Sequence, residues 1–446
     1  MKHVLMLCAF IVPMALGQTV EQLSIEDAIR IAKENSKALK ISESKVDAAS
    51  AKESEAKSVM LPSLKFEGSY RRLSNIDAFT IPAVPPIFLV PIAISPNIPN
   101  SYNLKIGLQQ PLFTGFRLRS NADAAEYLAN ASEEDRKGSE TDLVANVISA
   151  YWMLYQANES KRFVDENVDR IASYQSDTRN LMNAGLATRN DMLKIQVQLS
   201  NAKLAQIDAA NDVDVAMMSL NNVMGQDVET EIHITSTPDI VIREDSLSGN
   251  ATSTIPTAQL VTMAMQKRPD LLAMQSRVQA AEAGVTAAKG GWWPQIGLTA
   301  NYYYNRPNQR YLPAKDEFKG TWEVGVGMQF DIWNWGATLF QTEQAQSQLH
   351  QSEYALAQMK DNATLEVKRY KLGVERAAKR IDVASEAIGQ AEENSRSTNE
   401  KYKNGLATST DLLDASVALL QARTSYTGAL VEHEIAVARL NKALGD

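Results

Sequence analysis

Sulfur chemistry is almost missing from this 446-residue chain, whose one cysteine is Cys8. Residues 1–17 read as an export peptide: Lys2 and His3 precede an apolar run from Val4 to Leu16, and Ala15-Leu16-Gly17 forms a small-x-small processing signal before Gln18. Cys8 comes too early in that run to be a lipidated cysteine, and its removal leaves no disulfide, thiolate nucleophile or thiolate metal site. Long apolar runs are absent after the first twenty residues, and mean hydropathy is −0.26. That excludes a helical membrane protein, which needs roughly 20 consecutive apolar residues per span. Aromatic residues make up only 7% of the chain. Histidine is scarcer still: only His233, His350 and His433 follow the leader, far apart and without ligand spacing. With no Gly-rich phosphate loop and no nucleophile motif, nothing points to an enzyme, a metal or a cofactor. Basic excess is lacking too, since the net charge is −8, or −9 without Lys2, which argues against nucleic acid as a partner. An apolar content of 44% excludes disorder. Two classes survive: a soluble acidic protein, or a membrane β-barrel whose strands are too faint for hydropathy to detect.

What is present is a repeat. Residues 183–225 and 403–445 align without a gap at an offset of 220, with 14 identities in 43 positions, among them Gly185-Leu186-Ala187-Thr188 and Gly405-Leu406-Ala407-Thr408. The same offset pairs Ile106-Gly107-Leu108-Gln109 with Val326-Gly327-Met328-Gln329. Further upstream Leu61-Pro62-Ser63-Leu64 pairs with Trp293-Pro294-Gln295-Ile296 at an offset of 232, so the first copy has 12 extra residues, which fall between 72 and 102. An internal duplication is expected: a first structural repeat over 18–225, an inter-repeat linker over 226–256 and a second repeat over 257–446.

Each copy predicts a proline-poor helical stretch (24–60, then 257–291), two strands, a very long helix and a returning helix. Strands are expected at 63–72, 101–112, 295–305 and 321–332, because apolar and polar or small residues alternate there. Leu64, Phe66 and Tyr70 alternate with Lys65, Glu67, Ser69 and Arg71; Trp322, Val324, Val326, Met328 and Phe330 alternate with Glu323, Gly325, Gly327 and Gln329. Alternation alone fits a soluble hairpin as well as a barrel strand. Aromatics favour the barrel. Phe113, Trp292, Trp293, Trp333 and Trp335 all fall where strand meets helix, and they include four of the six tryptophans, as a membrane interface selects. Between Phe116 and Asn183, and again between Ala337 and Asn404, there is no proline; a helix of roughly 67 residues is a rod of about 100 Å, far longer than a globular core can use. Four strands per chain cannot close a barrel, and an open edge cannot face lipid. Two chains would give eight strands and a filled interior, three would give twelve and room for a lumen, and the residues alone leave that choice open.

This architecture resembles the TolC family of bacterial outer-membrane efflux proteins over essentially the whole mature chain. The most specific matches are the two Gly-Leu-Ala-Thr-x-x-Asp tips at 185–191 and 405–411, the strand ending Pro111-Leu112-Phe113-Thr114-Gly115, and the opening Leu23-Ser24-Ile25-Glu26-Asp27-Ala28. The resemblance implies a homotrimer with a 12-stranded β-barrel in the outer membrane and a long α-helical coiled-coil barrel in the periplasm. It implies an exit duct of a tripartite efflux or type I secretion system, opened by a periplasmic adaptor and an inner-membrane pump. By the same resemblance Gly185, Leu186, Ala187 and Thr188, with Gly405, Leu406, Ala407 and Thr408, meet the adaptor. Asp411 and Asp414 form acidic rings at the tunnel mouth, where mutual repulsion would raise some of their pKa values. Tyr402 and Asp191 match positions that latch neighbouring helices. The family's basic latch residue is replaced here by Ala407, and the first copy has Lys194 where the second has Asp414.

The tips also have a purely local reading. Gly185 and Gly405 suit helix ends with φ > 0, and Thr188 and Thr408 suit N-caps boxed by Asp191 and Asp411. The loop 77–101 holds six prolines and the apolar run Ile87-Phe88-Leu89-Val90, which suits a lid over the outer mouth or a contact with lipopolysaccharide or a surface partner. In the family the linker, with Glu231–Thr235 and the polar 246–254, helps form a belt around the helices. The competing class is a soluble periplasmic coiled-coil adaptor or scaffold, which would not need tryptophans at strand ends. Cargo stays open among drugs, metal ions and polypeptides.

Overall fold

The computed structural model describes residues 21–77, 79–87, 89–95, 97–238 and 255–446. The export peptide with Cys8, Phe88 of the loop, Pro96, and the polar stretch 246–254 lie outside the described residues.

The first half runs β1 (Glu21–Leu23), α1 (Ile25–Asn35), α2 (Lys37–Ser58), β2 (Ser63–Arg72), β3 (Phe79–Ile81), β4 (Ile92–Ser95), β5 (Asn100–Phe113), α3 (Arg117–Asn183) and α4 (Arg189–Met224). Then come β6 (Ile232–Ile234), α5 (Thr257–Lys267), α6 (Pro269–Lys289), a 3₁₀ turn (Gly290–Trp292), β7 (Gln295–Arg306), β8 (Lys319–Gln329), α7 (Ala337–Lys403) and α8 (Ser409–Leu444). The long helices α3 and α7 have 67 residues each, and the returning helices α4 and α8 have 36 each.

Two expectations of continuous first helices are corrected. The stretch 24–60 breaks at Ser36 (φ −57°, ψ 118°) and the stretch 257–291 at Arg268 (φ −59°, ψ 120°). At Arg268 the cause is Pro269, whose ring drives the preceding residue out of helical ψ. At Ser36 the hydroxyl instead accepts the Leu39 amide at 3.3 Å and starts a new helix. Each break is packed by the end of its own half. A Cβ on the left-handed Gly225 would lie 2.9 Å from the Asn35 carbonyl, and one on Gly445 2.8 Å from the Lys267 carbonyl. β8 also stops at Gln329 rather than 332, because Gln329 pairs with Gln295 and β7 begins there.

Two compact units partition the chain. One comprises Met1–Ile41, Lys137–Arg268 and Asn362–Asp446. Its described part is helical, apart from a parallel pairing of β1 with β6 that places Leu23 opposite Ile234. A buried Tyr151 ties that pair to α3: its hydroxyl donates to the Leu23 carbonyl at 3.0 Å and accepts the Ser236 amide at 2.9 Å. Leu220, Met224, Val147 and Ile435 complete this core. A second cluster, with Ile171, Tyr174, Ile195, Tyr402 and Leu412, underlies the hairpins between the long and returning helices.

The other unit comprises Ser42–Arg136 and Pro269–Asp361 and carries an antiparallel sheet in the order β2-β5-β7-β8. The register puts Leu64, Leu108, Ala300 and Val324 in one row and Phe66, Ile106, Tyr302 and Trp322 in the next, all on one face. The opposite face carries Lys65, Gly107, Asn301 and Glu323, then Glu67, Lys105, Tyr303 and Thr321. The apolar face is open within the chain: Phe66 is 70% and Trp322 71% exposed. A continuous apolar sheet face of this size needs a cover, since burying each such side chain is worth about 1.5–3 kcal/mol. Ion pairs Lys57–Glu126 (3.0 Å) and Arg277–Asp135 tie α2 and α6 to α3 beside this sheet. Part of the 77–101 loop folds into a separate antiparallel pairing of β3 with β4.

Candidate functional site: the hairpin tips and the strand ends

Both tips are closed by the same hydrogen bonds. The Leu186 amide donates to the Leu181 carbonyl (2.8 Å) and the Gly185 amide to the Met182 carbonyl (3.0 Å); Leu406 to Lys401 and Gly405 to Tyr402 repeat the pattern at 2.8 and 3.0 Å. These bonds satisfy two otherwise free carbonyls at each helix end and require a left-handed residue, supplied by Gly185 (φ 78°) and Gly405 (φ 73°). The next helix starts with a capping box. The Asp191 amide donates to the Thr188 hydroxyl (3.2 Å) while the Thr188 amide donates to the Asp191 carboxylate (3.0 Å), and Thr408 with Asp411 does the same at 3.2 and 2.9 Å. Leu186 and Leu406 stand exposed at the apices.

Asp191 and Asp411 therefore have structural work. Hydrogen bonds from Thr188 and Ser409 hold the Asp191 carboxyl below its ordinary pKa, and those from Thr408 do so for Asp411. Within one chain the cap thus moves Asp411 opposite to the rise that repulsion would cause. Asp414 is exposed one turn further on.

The sequence did not reveal the contacts joining the two hairpins of one chain. The Tyr402 hydroxyl, buried, meets the buried Thr178 hydroxyl at 2.6 Å. Burial raises the Tyr402 phenol pKa, only partly offset by that bond, so the group stays neutral through the physiological range. Ser409 donates to Asp191 at 2.7 Å, Lys194 to Thr410 at 3.1 Å, and Lys403 lies 3.7 Å from Asp177. Ala407 is half-buried against the cluster of Ile171, Tyr402 and Leu412. A basic side chain there would have to leave apolar surroundings, and in this chain Lys194 and Lys403 supply the cations near the joint. Thr178 and Tyr402 are 224 residues apart, so no local pattern announces them.

The strand-end aromatics all lie in the sheet-bearing unit, with Trp292, Trp293, Trp333 and Trp335 exposed and Phe113 edge-on to Phe116 at 5.5 Å. Trp333 and Trp335 meet edge to face at 5.8 Å. Here the backbone carries another repeated feature: Gly115 (φ 62°) and Phe116 (φ 67°) form a left-handed pair before α3, and Trp335 (φ 56°) and Gly336 (φ 80°) form one before α7. Among the described residues no cluster of His, Cys, Asp or Glu could hold a metal, and no helix is long and apolar enough to cross a membrane.

A sheet with one apolar and one polar face, two 67-residue helices and boxed hairpin tips occur together in this chain. The chain belongs to the outer membrane efflux protein family, whose profile matches residues 28–226 and 260–446. It is 26% identical over 365 residues to the outer membrane efflux protein BepC of Brucella suis biovar 1, covering 78% of this chain and 75% of the relative. It is 21% identical to the outer membrane protein TolC of Vibrio cholerae serotype O1, covering 72% of each. The solved CusC channel shares the fold with a TM-score of 0.79 at 17% identity, over 97% of this chain and 95% of that one. The protein is accordingly an outer-membrane exit duct, and the soluble adaptor alternative is not favoured.

Proposed function

We propose that three chains share one 12-stranded barrel and form the passive outer-membrane duct of a tripartite efflux or type I secretion system. The observation that carries this reading is the sheet: one face apolar and exposed, one polar, with β2 and β8 as free edges. In lipid each edge must pair, and β2 of one chain on β8 of the next closes the ring without unpaired backbone. Three chains give twelve strands and a lumen. The halves are copies of one unit, supported by equal helix lengths and by Gly225 and Gly445 packing on equivalent breaks. The division into a leader at 1–17, repeats over 18–225 and 257–446, and a linker over 226–256 belongs to this reading.

Phe113, Trp292, Trp293, Trp333 and Trp335 then sit at the periplasmic interface of the membrane. Leu186, Leu406 and the flanking Gly-x-Ala-Thr segments meet the adaptor, with Asp411 and Asp414 narrowing the entrance and Tyr402 and Asp191 holding the closed state. The chain carries no catalysis or cofactor; the adaptor and the inner-membrane pump supply the energy and choose the cargo. The lone cysteine lies in the leader, so engineered cysteines report cleanly. Single cysteines placed in turn at Ser63 or Ser69 on β2, combined with Thr321 or Gly325 on β8, should give oxidised ladders that stop at three chains. Absence of crosslinks in every combination would contradict the shared barrel.

A further inference from the structure

Charge is distributed very unevenly over this acidic protein. Residues 63–113 and 295–329, the sheet with its loops, carry eight Lys and Arg against five Asp and Glu, while the remainder carries 37 against 48. On the polar face the strands bear four cations, Lys65, Arg71, Lys105 and Lys319, and two carboxylates, Glu67 and Glu323. Both carboxylates are engaged. Glu67 lies 3.4 Å from Lys105, and Glu323 accepts from the Tyr303 hydroxyl (2.7 Å), Asn301 (3.1 Å) and Arg310 (2.9 Å). Lys319 is likewise paired, 3.4 Å from Glu317 of the β7–β8 loop. Among the described residues Lys65 and Arg71 have no ion-pair or hydrogen-bond partner, and Lys65 stands opposite Gly107, which gives it no side chain to lean on. On the apolar face the only strand charges are Arg72, donating to Asn100 at 2.7 Å, and Arg306, held by Asp316 at 2.7 and 3.0 Å. Unneutralised positive charge is thus concentrated on the polar face.

We propose that this face makes the barrel a basic, anion-favouring passage, suited to discharging carboxylate- or phosphate-bearing solutes. The proposal rests on the shared-barrel reading, in which the polar face lines the lumen and each surplus cation is repeated three times. Rings of Lys and Arg lower the barrier to anions by replacing part of their hydration and by raising the local potential, and low-dielectric walls focus that potential. The tip residues Asp411 and Asp414 act in series with it and with the opposite sign. The two filters separate by mutation.

The test is the reversal potential in planar bilayers under a potassium chloride gradient, using detergent-extracted full-length protein. In the Asp411→Ser, Asp414→Ser variant the barrel alone sets selectivity, and chloride permeability should exceed that of potassium, as Lys and Arg rings favour anions. Adding Lys65→Glu and Arg71→Glu should reverse the preference; these side chains make no core contact, and Lys65→Gln with Arg71→Gln gives a milder variant that should remove it. Potassium preference in the tip variant, unchanged by the lumen substitutions, would overturn the anion passage while leaving the duct intact. Absence of any conductance from the wild-type protein would overturn the duct reading itself.

Discussion

The two tips and the two strand-to-helix corners repeat in different ways. At the tips, residues recur together with their geometry: Gly185 and Gly405, Thr188 and Thr408, Asp191 and Asp411 make the same bonds. At the corners only the geometry recurs. Gly115 precedes Phe116 in one, Trp335 precedes Gly336 in the other, and all four residues are left-handed. An aromatic residue in that conformation costs about 1–2 kcal/mol. The two halves thus share the tip's chemistry but only the corner's direction. The tips differ right after the cap, where Ser409 donates to Asp191 but its counterpart is Arg189, and again one turn on, where Lys194 donates to Thr410 and Asp414 stands exposed.

Substitutions sharpen that contrast. The largest effect is expected for Gly115→Ala: the new Cβ would lie 2.4 Å from the Gly290 carbonyl and 2.8 Å from the Trp293 Cβ, so strain and overpacking together should cost about 3 kcal/mol in denaturant unfolding. Gly185→Ala or Gly405→Ala meets open space and should cost only about 1 kcal/mol of backbone strain, yet bulkier residues there should reduce efflux while the trimer persists. Equal losses at Gly115 and Gly185 would erase the distinction between crowded corner and free tip. Tyr402→Phe leaves the Thr178 hydroxyl buried without its 2.6 Å partner and should cost about 2 kcal/mol, read as faster hydrogen exchange at the tips; unchanged exchange would remove Tyr402 from the joint. Thr188→Ala and Thr408→Ala should each cost about 1 kcal/mol, and a much larger loss at one would show that the caps are not equivalent.

The smallest effect is in pH. The folded-state pKa values of Asp191 and Asp411 lie below those of the unfolded chain. Their contribution is therefore complete above about pH 4 and is lost as pH falls through the folded values. Exchange protection at residues 186–192 and 406–412 should fall in that acid window and not between pH 5 and 8; a midpoint near 6 would mean that repulsion among clustered carboxylates outweighs the caps.

Much of this was legible because local physics wrote it. Period-two alternation located β2, β5 and β7 within a residue or two, and the Gly-x-Ala-Thr-x-x-Asp segments announced turn and cap together. Pairing was not legible. That β5 lies between β2 and β7, and that Glu231–Thr235 contributes β6 beside β1, depends on contacts across some 200 residues, which no window contains. The Tyr402–Thr178 and Ser409–Asp191 bonds were hidden for the same reason. The break at Ser36 lacked the proline that marks its counterpart at Arg268-Pro269, and the left-handed Phe116 and Trp335 ran against the ordinary preference of aromatic residues.

The shared barrel is tested most directly by the protein mass of the membrane-extracted particle, measured by light scattering with the detergent contribution removed. A mass of three chains, lost to aggregation when detergent is withdrawn, is the predicted result, because the apolar sheet face and the free edges of β2 and β8 need lipid and neighbours. A monodisperse particle stable in plain buffer would mean that the sheet is covered within a soluble assembly, and would contradict the duct.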